Sequence, residues 1–498
     1  MFGKVLVANR GEIAVRIIRA LRELGIRSVA VYSDADRNAL HVRLADEAAH
    51  IGPASSSESY LRIDRILEAA TRHRAEAIHP GYGFLSENAD FAAAVEATGI
   101  VFVGPSASSI RRLGSKTAAR ILAKQMNVPV VPGNEEPATH LDHARALAQE
   151  LGYPVLLKAA AGGGGKGMRR VDREADLEGA IRDATSEAER AFRSGEVYIE
   201  KVIERPRHIE MQIVADNYGN FVHLGERECS LQRRHQKVVE ECPSPLVAMN
   251  PELRDAMGEA ALRIARAAQY RNLGTAEFLV DQDKNFYFLE VNTRLQVEHP
   301  VTELVTGLDL VHLQLKIAWG EAIPFAQEDV TWRGAAIECR VCAEDPERDF
   351  FPSPGKILQL SEPAGPGIRL DSGIYPGWTI PLEYDPLLAK LVAWAPDRHG
   401  AIERISRALD EYAISGVATN LGFFREIMQE RRFRQGDLDT GFIADFFRHR
   451  RIPECVPDLG VIAALAAASF SKNHQPETKN GQSETSRWLS QGRSEQLR

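Results

Sequence analysis

The feature that most constrains this chain is a strand–helix–strand alternation at its start. Residues 4–8 (KVLVA) read as a short buried strand, and Ile13, Ile17, Leu21 and Leu24 recur at helical spacing up to a stop at Gly25. SVAVYS at 28–33 is a second strand, so the turn at Asn9-Arg10-Gly11 opens a βαβ unit. Strands joined through a crossover helix lie parallel. The strands AEAIHP (75–80) and GIVFVGP (99–105), with helical Glu87–Ala97 between them, continue the pattern, so residues up to about 110 predict an open parallel sheet. Gly-Tyr-Gly-Phe at 81–84 lacks the third glycine of a dinucleotide fingerprint and reads as a tight strand–helix turn.

One such sheet cannot use the whole chain. At ~150 residues per domain, 498 residues predict about three domains. A second region opens at Lys116 and runs to about 320, and a third, entered at 333, carries strands and helices to about 449. Residues 458–470 read as an alanine-rich apolar helix and 471–498 as a disordered polar tail. The net charge of −8 argues against a nucleic-acid binder, which needs a basic surplus. No stretch reaches the ~18 apolar residues of a membrane span. Charges interrupt the first 26 residues, against a signal peptide, and five scattered cysteines write no disulfide framework. A cytoplasmic, reducing setting is expected.

The chemistry begins at GGGGKG (162–167), a glycine run between the strands PVLLKAA (154–160) and MRRV. It is not a P-loop, because it joins two strands and lacks the Lys-Ser/Thr ending. Its backbone N–H groups can close over phosphates, with Lys158 aimed at the same anion; the alternative is a linker beside a snorkelling lysine. The segment 275–292 is more telling. TAEFLVD and FYFLEVN read as a hairpin around Gln282–Asn285, and a four-residue loop pairs Asp281 with Phe286 and places Glu277 opposite Glu290. That register predicts one face of Ala276, Phe278, Val280, Tyr287, Leu289 and Val291, with Phe286, Phe288 and the acids on the other. Facing carboxylates destabilise a sheet unless a cation lies between them, and with Asn292 beside them they suit Mg²⁺ on nucleotide phosphates. The alternative is a solvated acidic face, and a three- or five-residue loop would slip the register and remove the pairing. If the backbone stays extended, Arg294, Gln296 and Glu298 fall in line with Glu290 and Asn292, joining metal ligands, an anion clamp and a candidate base. The basic cluster 232–237 (QRRHQK) suits a small anion, and in AAIECRVC (335–342) Glu338 and Arg340 point away from the core face.

Taken together, ANRGEIAVRIIRA, HPGYGFLSEN, KAAAGGGGKGMR, ERECSLQRRHQKVVEE, FLEVNTRLQVEHPVTE and FPSPGKI resemble the biotin carboxylase family, an ATP-grasp fold, over Lys4 to about Phe447. The resemblance implies a mixed α/β and α+β architecture: a Rossmann-like N-terminal domain (1–113), an ATP-grasp core (114–320) with a glycine-rich lid over about 131–203, and a mixed α/β C-terminal domain (333–449). It implies carboxylation of biotin by bicarbonate and ATP with Mg²⁺ or Mn²⁺, through carboxyphosphate. By matching position, Lys116, Lys158, Gly164, Gly165 and His235 would hold the ATP phosphates, and the hinge Glu200-Lys201-Val202-Ile203 would hold adenine, with His208 nearby. Mg²⁺ would take Glu277, Glu290 and Asn292. Lys237, Arg294 and the Val297 backbone would clamp bicarbonate, Glu298 would deprotonate it, and Arg340 would stabilise the biotin enolate.

None of the seven methionines lies in an Ala-Met-Lys-Met motif, so the resemblance implies a homodimer acting on biotin held by a separate carboxyl carrier protein, together with a separate carboxyltransferase subunit. The final acceptor is left open among acetyl-CoA, pyruvate in a two-subunit pyruvate carboxylase, and another acyl-CoA or 2-oxo acid. Two rivals are another ATP-grasp ligase, which has no need of Arg294, Glu298 and Arg340 together, and an inactive scaffold chain, which should have lost the acids.

Overall fold

The computed structural model describes residues 1–134, 141–159, 168–192 and 197–450. Five parallel strands open the chain: β1 Lys4–Val7, β2 Arg27–Ser33, β3 Glu47–Gly52, β4 Ala77–His79 and β5 Val101–Phe102, in the order β3-β2-β1-β4-β5. β3 is the strand the hydrophobic pattern does not announce. It is an edge strand whose outer residues, Ala48 and His50, stay exposed. The helix Gly11–Glu23 buries Ile13, Ile17 and Leu21 as the spacing predicts, with Ala14 and Ile18 in a second row. Asn9 ties the first turn to the loop after β4, donating through Nδ2 to the carbonyls of Pro80 and Tyr82 at 2.7 Å each. Gly81 has φ +63°, and a Cβ there would lie 2.9 Å from that amide, so the close approach requires glycine.

A small antiparallel sheet follows: β6 Val155–Ala159, β7 Met168–Val171 and β8 Val197–Lys201, ordered β7-β6-β8. It has its own core of Val155, Leu157, Val171, Leu177 and Ile199, with Ala144 and Ala148 from the helix Leu141–Leu151. Lys158 pairs with Met168, so β6 and β7 leave and re-enter as neighbours. The glycine run, with Gly164 and Gly165, lies outside the described residues.

The largest sheet has eight strands. β9 Arg207–Ala215, β10 Phe221–Arg233, β11 Gln236–Cys242, β12 Asn272–Val280, β13 Phe286–Asn292 and β14 Ala335–Cys342 run in the order β13-β12-β9-β10-β11-β14, continued by Leu387–Ala395 and Ile368–Ser372. The pairing of β11 with β14 carries the sheet unbroken across the 320–333 connection. One face packs Met211, Ile213, Ala276 and Phe278 on Met257, Ala261 and Ile264 of the helix Pro251–Ala267. The alternate residues Glu210, Gln212, Arg227, Thr275 and Glu277 are polar, yet also buried. Polar groups are buried at such density only where they satisfy one another. Residues 1–445 form one unit; of a second, 446–498, the structure describes a helical stretch over 446–449, and the expected 458–470 helix and polar tail lie outside the described residues. Among the described residues no helix is long and apolar enough to cross a membrane.

Candidate active site

Glu277 does pair directly with Glu290, but by a different route from the one the alternation suggests. The connection is five residues, 281–285, closing on Val280 opposite Phe286. The Asp281 carboxylate organises it, accepting the N–H groups of Asp283 and Asn285 at 2.9 Å each. A longer loop slips the register, and Leu289, bulged out between the Glu277 and Phe278 pairings, slips it back. The correction falls on the faces. Beyond the bulge Phe286 and Phe288 pack with Phe278 in the core, and Leu289, expected there, lines the site.

A cavity of about 1240 Å³ runs past this hairpin, beneath the small sheet and along the first parallel sheet. At one end lie Glu200, Lys201, Val202 and Ile203 at the exit of β8. Lys201 turns its ammonium to the Gly152 carbonyl, 2.7 Å, so only its backbone is offered to the cavity floor. The Glu200 carboxylate takes Lys158, and Arg120 at 2.5 Å. Lys116 stands 2.9 Å from Glu290. His235 occupies the tight β10–β11 turn at φ +64°; burial and the charges of Lys158, His208 and Lys116 push its pKa down, which marks these cations as gathered at one place. His208, expected near the hinge, directs Nε2 at Glu277, 3.1 Å away.

Deeper in, acids and cations alternate. The Lys237 ammonium contacts Glu210, Glu277 at 2.7 Å and Glu298 at 2.8 Å. Arg340 bridges Glu240 through Nε (2.5 Å) and Glu298 through Nη2 (2.8 Å). Burial pushes the Glu298 and Glu277 carboxyls up, but Lys237 acting with Arg340 on the first and with His208 on the second outweighs it, and both stay well below the usual carboxylate range. Asn292 donates to Glu277 at 2.8 Å, and Arg294 donates to Asn292 and Gln296 at 3.0 and 2.9 Å. The extended line from Glu290 does not continue as a strand. Val297 and Glu298 form a turn into the helix His299–Thr306, yet Arg294, Gln296 and Glu298 still converge, because Leu295 is buried and anchors the loop. Every described candidate lines the cavity except Glu298, which is fully buried beneath Lys237 and Arg340.

Four positioning groups escape the sequence reading. Glu87 fixes Arg294 through Nε at 2.8 Å and the Thr293 N–H at 2.9 Å. Glu210 joins Lys237 to the buried Arg227 at 2.5 Å, Glu240 holds Arg340, and Lys390 holds the Val297 carbonyl at 2.9 Å. Lone charges in apolar strands, as in RHIEMQIVA and LLAKLVAWA, are the signal that could have found two of them, the same signal that singles out Lys158.

The hard oxygens of Glu277, Glu290 and Asn292, with cations already drawn to both acids, fit Mg²⁺ or Mn²⁺. Comparison with known proteins bears on most of the chain, up to residue 445. It matches the biotin carboxylase N-terminal domain over residues 1–110, the ATP-binding domain of the carbamoyl-phosphate synthase L chain over 115–326, and the biotin carboxylase C-terminal domain over 338–445. It is 53% identical to a pyruvate carboxylase subunit of Methanothermobacter thermautotrophicus, covering 90% of this chain and 91% of that one. It is 52% identical to biotin carboxylase of Nostoc sp., covering 89% and 99%. The Hydrogenobacter thermophilus 2-oxoglutarate carboxylase biotin carboxylase domain, a dimer in complex with MgADP, ADP and bicarbonate, superposes with a TM-score of 0.85 at 46% identity, covering 90% and 98%. The biotin carboxylase–β,γ-ATP complex from Campylobacter jejuni gives 0.86 at 46%, covering 89% and 99%.

Proposed function

The chain belongs to the biotin carboxylase family, and from that premise we propose how its own residues divide the carboxylation of biotin by ATP and bicarbonate. The reading rests on one observation: Glu298, sealed from solvent, is held by two cations that also serve other acids, Lys237 with Glu210 and Glu277 and Arg340 with Glu240. Bicarbonate entering beside Lys237, Arg294 and the Val297 backbone competes with Glu298 for Lys237. Losing that partner raises the proton affinity of Glu298 at the moment it must take the bicarbonate proton. The carbonate oxygen then attacks the γ-phosphorus of ATP and ADP leaves, giving carboxyphosphate.

Lys116, Lys158, His235 and the glycine run, including Gly164 and Gly165, carry the phosphates, while Glu200 to Ile203 hold adenine. Glu277, Glu290 and Asn292 would hold the metal ion, which supplies charge neutralisation at the transferring phosphoryl group. Carboxyphosphate breaks to CO₂ and phosphate, the phosphate takes the ureido proton of biotin while Arg340 leaves Glu298 to balance the enolate oxygen, and the deprotonated ureido nitrogen attacks the CO₂ carbon to give carboxybiotin.

The biotin is read as carried by a separate carboxyl carrier protein, with a separate carboxyltransferase, and the enzyme as a cytoplasmic homodimer. Support comes from the dimer of the Hydrogenobacter relative and from four described cysteines that are all unpaired. We place the chain in an acetyl-CoA carboxylase, with a two-subunit pyruvate carboxylase as the second reading, favoured by the 53% relative. The test is ATP cleavage that requires bicarbonate and is stimulated by free biotin. Cleavage indifferent to both would overturn the proposal.

A further inference from the structure

β11 and β14 bring a second pair of acids face to face, away from the metal-binding hairpin. Glu240 stands directly opposite Glu338, and both are fully buried. Glu240 Oε1 accepts Arg340 Nε, but Glu240 Oε2 and both oxygens of Glu338 have no hydrogen-bond partner. The nearby cations are committed elsewhere. Arg340 is shared with Glu298, and Lys237 lies among Glu210, Glu277 and Glu298. Lys390, from the strand on the other side of β14, holds the Val297 carbonyl and lies 3.3 Å from Glu12 and 3.8 Å from Asp371.

Opposed residues on adjacent antiparallel strands have Cβ atoms about 5 Å apart. Two ionised carboxylates at that spacing, both fully buried and with the neighbouring cations already shared among other acids, cannot both persist. We propose that Glu240 and Glu338 hold one proton between them, with Glu338 the neutral acid, and that this pair positions Arg340 for biotin. Burial, opposed by Lys390 and reinforced by Glu240, pushes the Glu338 carboxyl well up, and burial carries Glu240 up to about 7 against the pull of Arg340. With one proton aboard, Arg340 faces a single negative charge behind it and can exchange Glu298 for the biotin oxygen. A second negative charge would draw the guanidinium back toward the pair. The coupling rests on the reading of Arg340 as the biotin contact; the shared proton does not.

The test has two arms. Infrared spectra of the ligand-free enzyme at neutral pH should contain the carbonyl band of a neutral buried carboxylic acid, and Glu338→Gln should lose it. In the wild type the KM for biotin should rise about tenfold as the pair loses its proton at alkaline pH, the cost of one misdirected charged contact. In Glu338→Gln that rise should vanish. Absence of the acid band in the wild type overturns the shared proton. A band accompanied by identical pH profiles in the two proteins overturns its coupling to Arg340. Failure of Arg340 itself as the biotin contact would register separately, as an unchanged KM for biotin in Arg340→Ser.

Discussion

Glu298, the proposed base, is a carboxylate whose proton affinity is suppressed by the groups that hold it. Two cations at 2.8 Å keep it ionised although burial disfavours its charge. Glu298→Gln should therefore lower bicarbonate-dependent ATP cleavage by about 10²–10⁴, the usual worth of general-base catalysis, while nucleotide affinity measured by titration stays unchanged. Loss of nucleotide binding in parallel would assign Glu298 to structure. The sign of the pH effect follows from the depressed carboxyl: a base that must be ionised works at any pH above its own pKa, so the acid limb of kcat/KM for bicarbonate lies below the ordinary carboxylate value. Arg340→Ser removes one of the cations holding that value down, and should shift the acid limb of biotin-independent ATP cleavage to higher pH at fixed bicarbonate. It should also cut biotin carboxylation more than ATP cleavage. Much at this scale is legible in the sequence, because an acid or lysine isolated in apolar surroundings is conspicuous, as Lys158 is. Glu298 stands out in the sequence as a candidate base, but its burial under Lys237 and Arg340 does not, since those residues arrive from strands 61 and 42 positions away.

The β12–β13 hairpin is where element-scale reasoning reached the right pair through the wrong loop. Alternation has period 2 and cannot see a bulge, so an extra loop residue and an extra strand residue cancelled unnoticed at Glu277 and Glu290. The aromatic residues recorded the error, because Phe286 and Phe288, on the turn side of the bulge, sit on the opposite face from that expected. Glu290→Gln leaves the β-ladder intact and removes one of two facing like charges. It should raise the Mg²⁺ concentration needed for half-maximal ATP cleavage by about tenfold, the loss of one charged ligand contact, without lowering the melting midpoint. A lowered midpoint at unchanged metal requirement would make the pair structural.

At the scale of the whole molecule, the sequence divides more sharply than the fold. A Gly- and Arg-containing connection near 333 reads as a boundary, yet β14 inserts beside β11 and the sheet continues through it. Register between strands a hundred residues apart leaves no local mark, whereas the parallel sheet was legible because its helices alternate with its strands. A chain cut at 330 leaves β11 as a bare edge with Val239 and Cys242 uncovered, and should fail to give the cooperative unfolding transition of the full chain; independent folding to 330 would contradict the shared sheet. The central claim joins these scales: the two facing acids grip one nucleotide-bound ion beside the bicarbonate machinery. Crystals grown with Mg²⁺ and a non-hydrolysable ATP analogue test it most directly. The account predicts one ion with an oxygen of Glu277 and an oxygen of Glu290 both about 2.0–2.1 Å away. Either carboxylate turned away from an otherwise bound ion would contradict it.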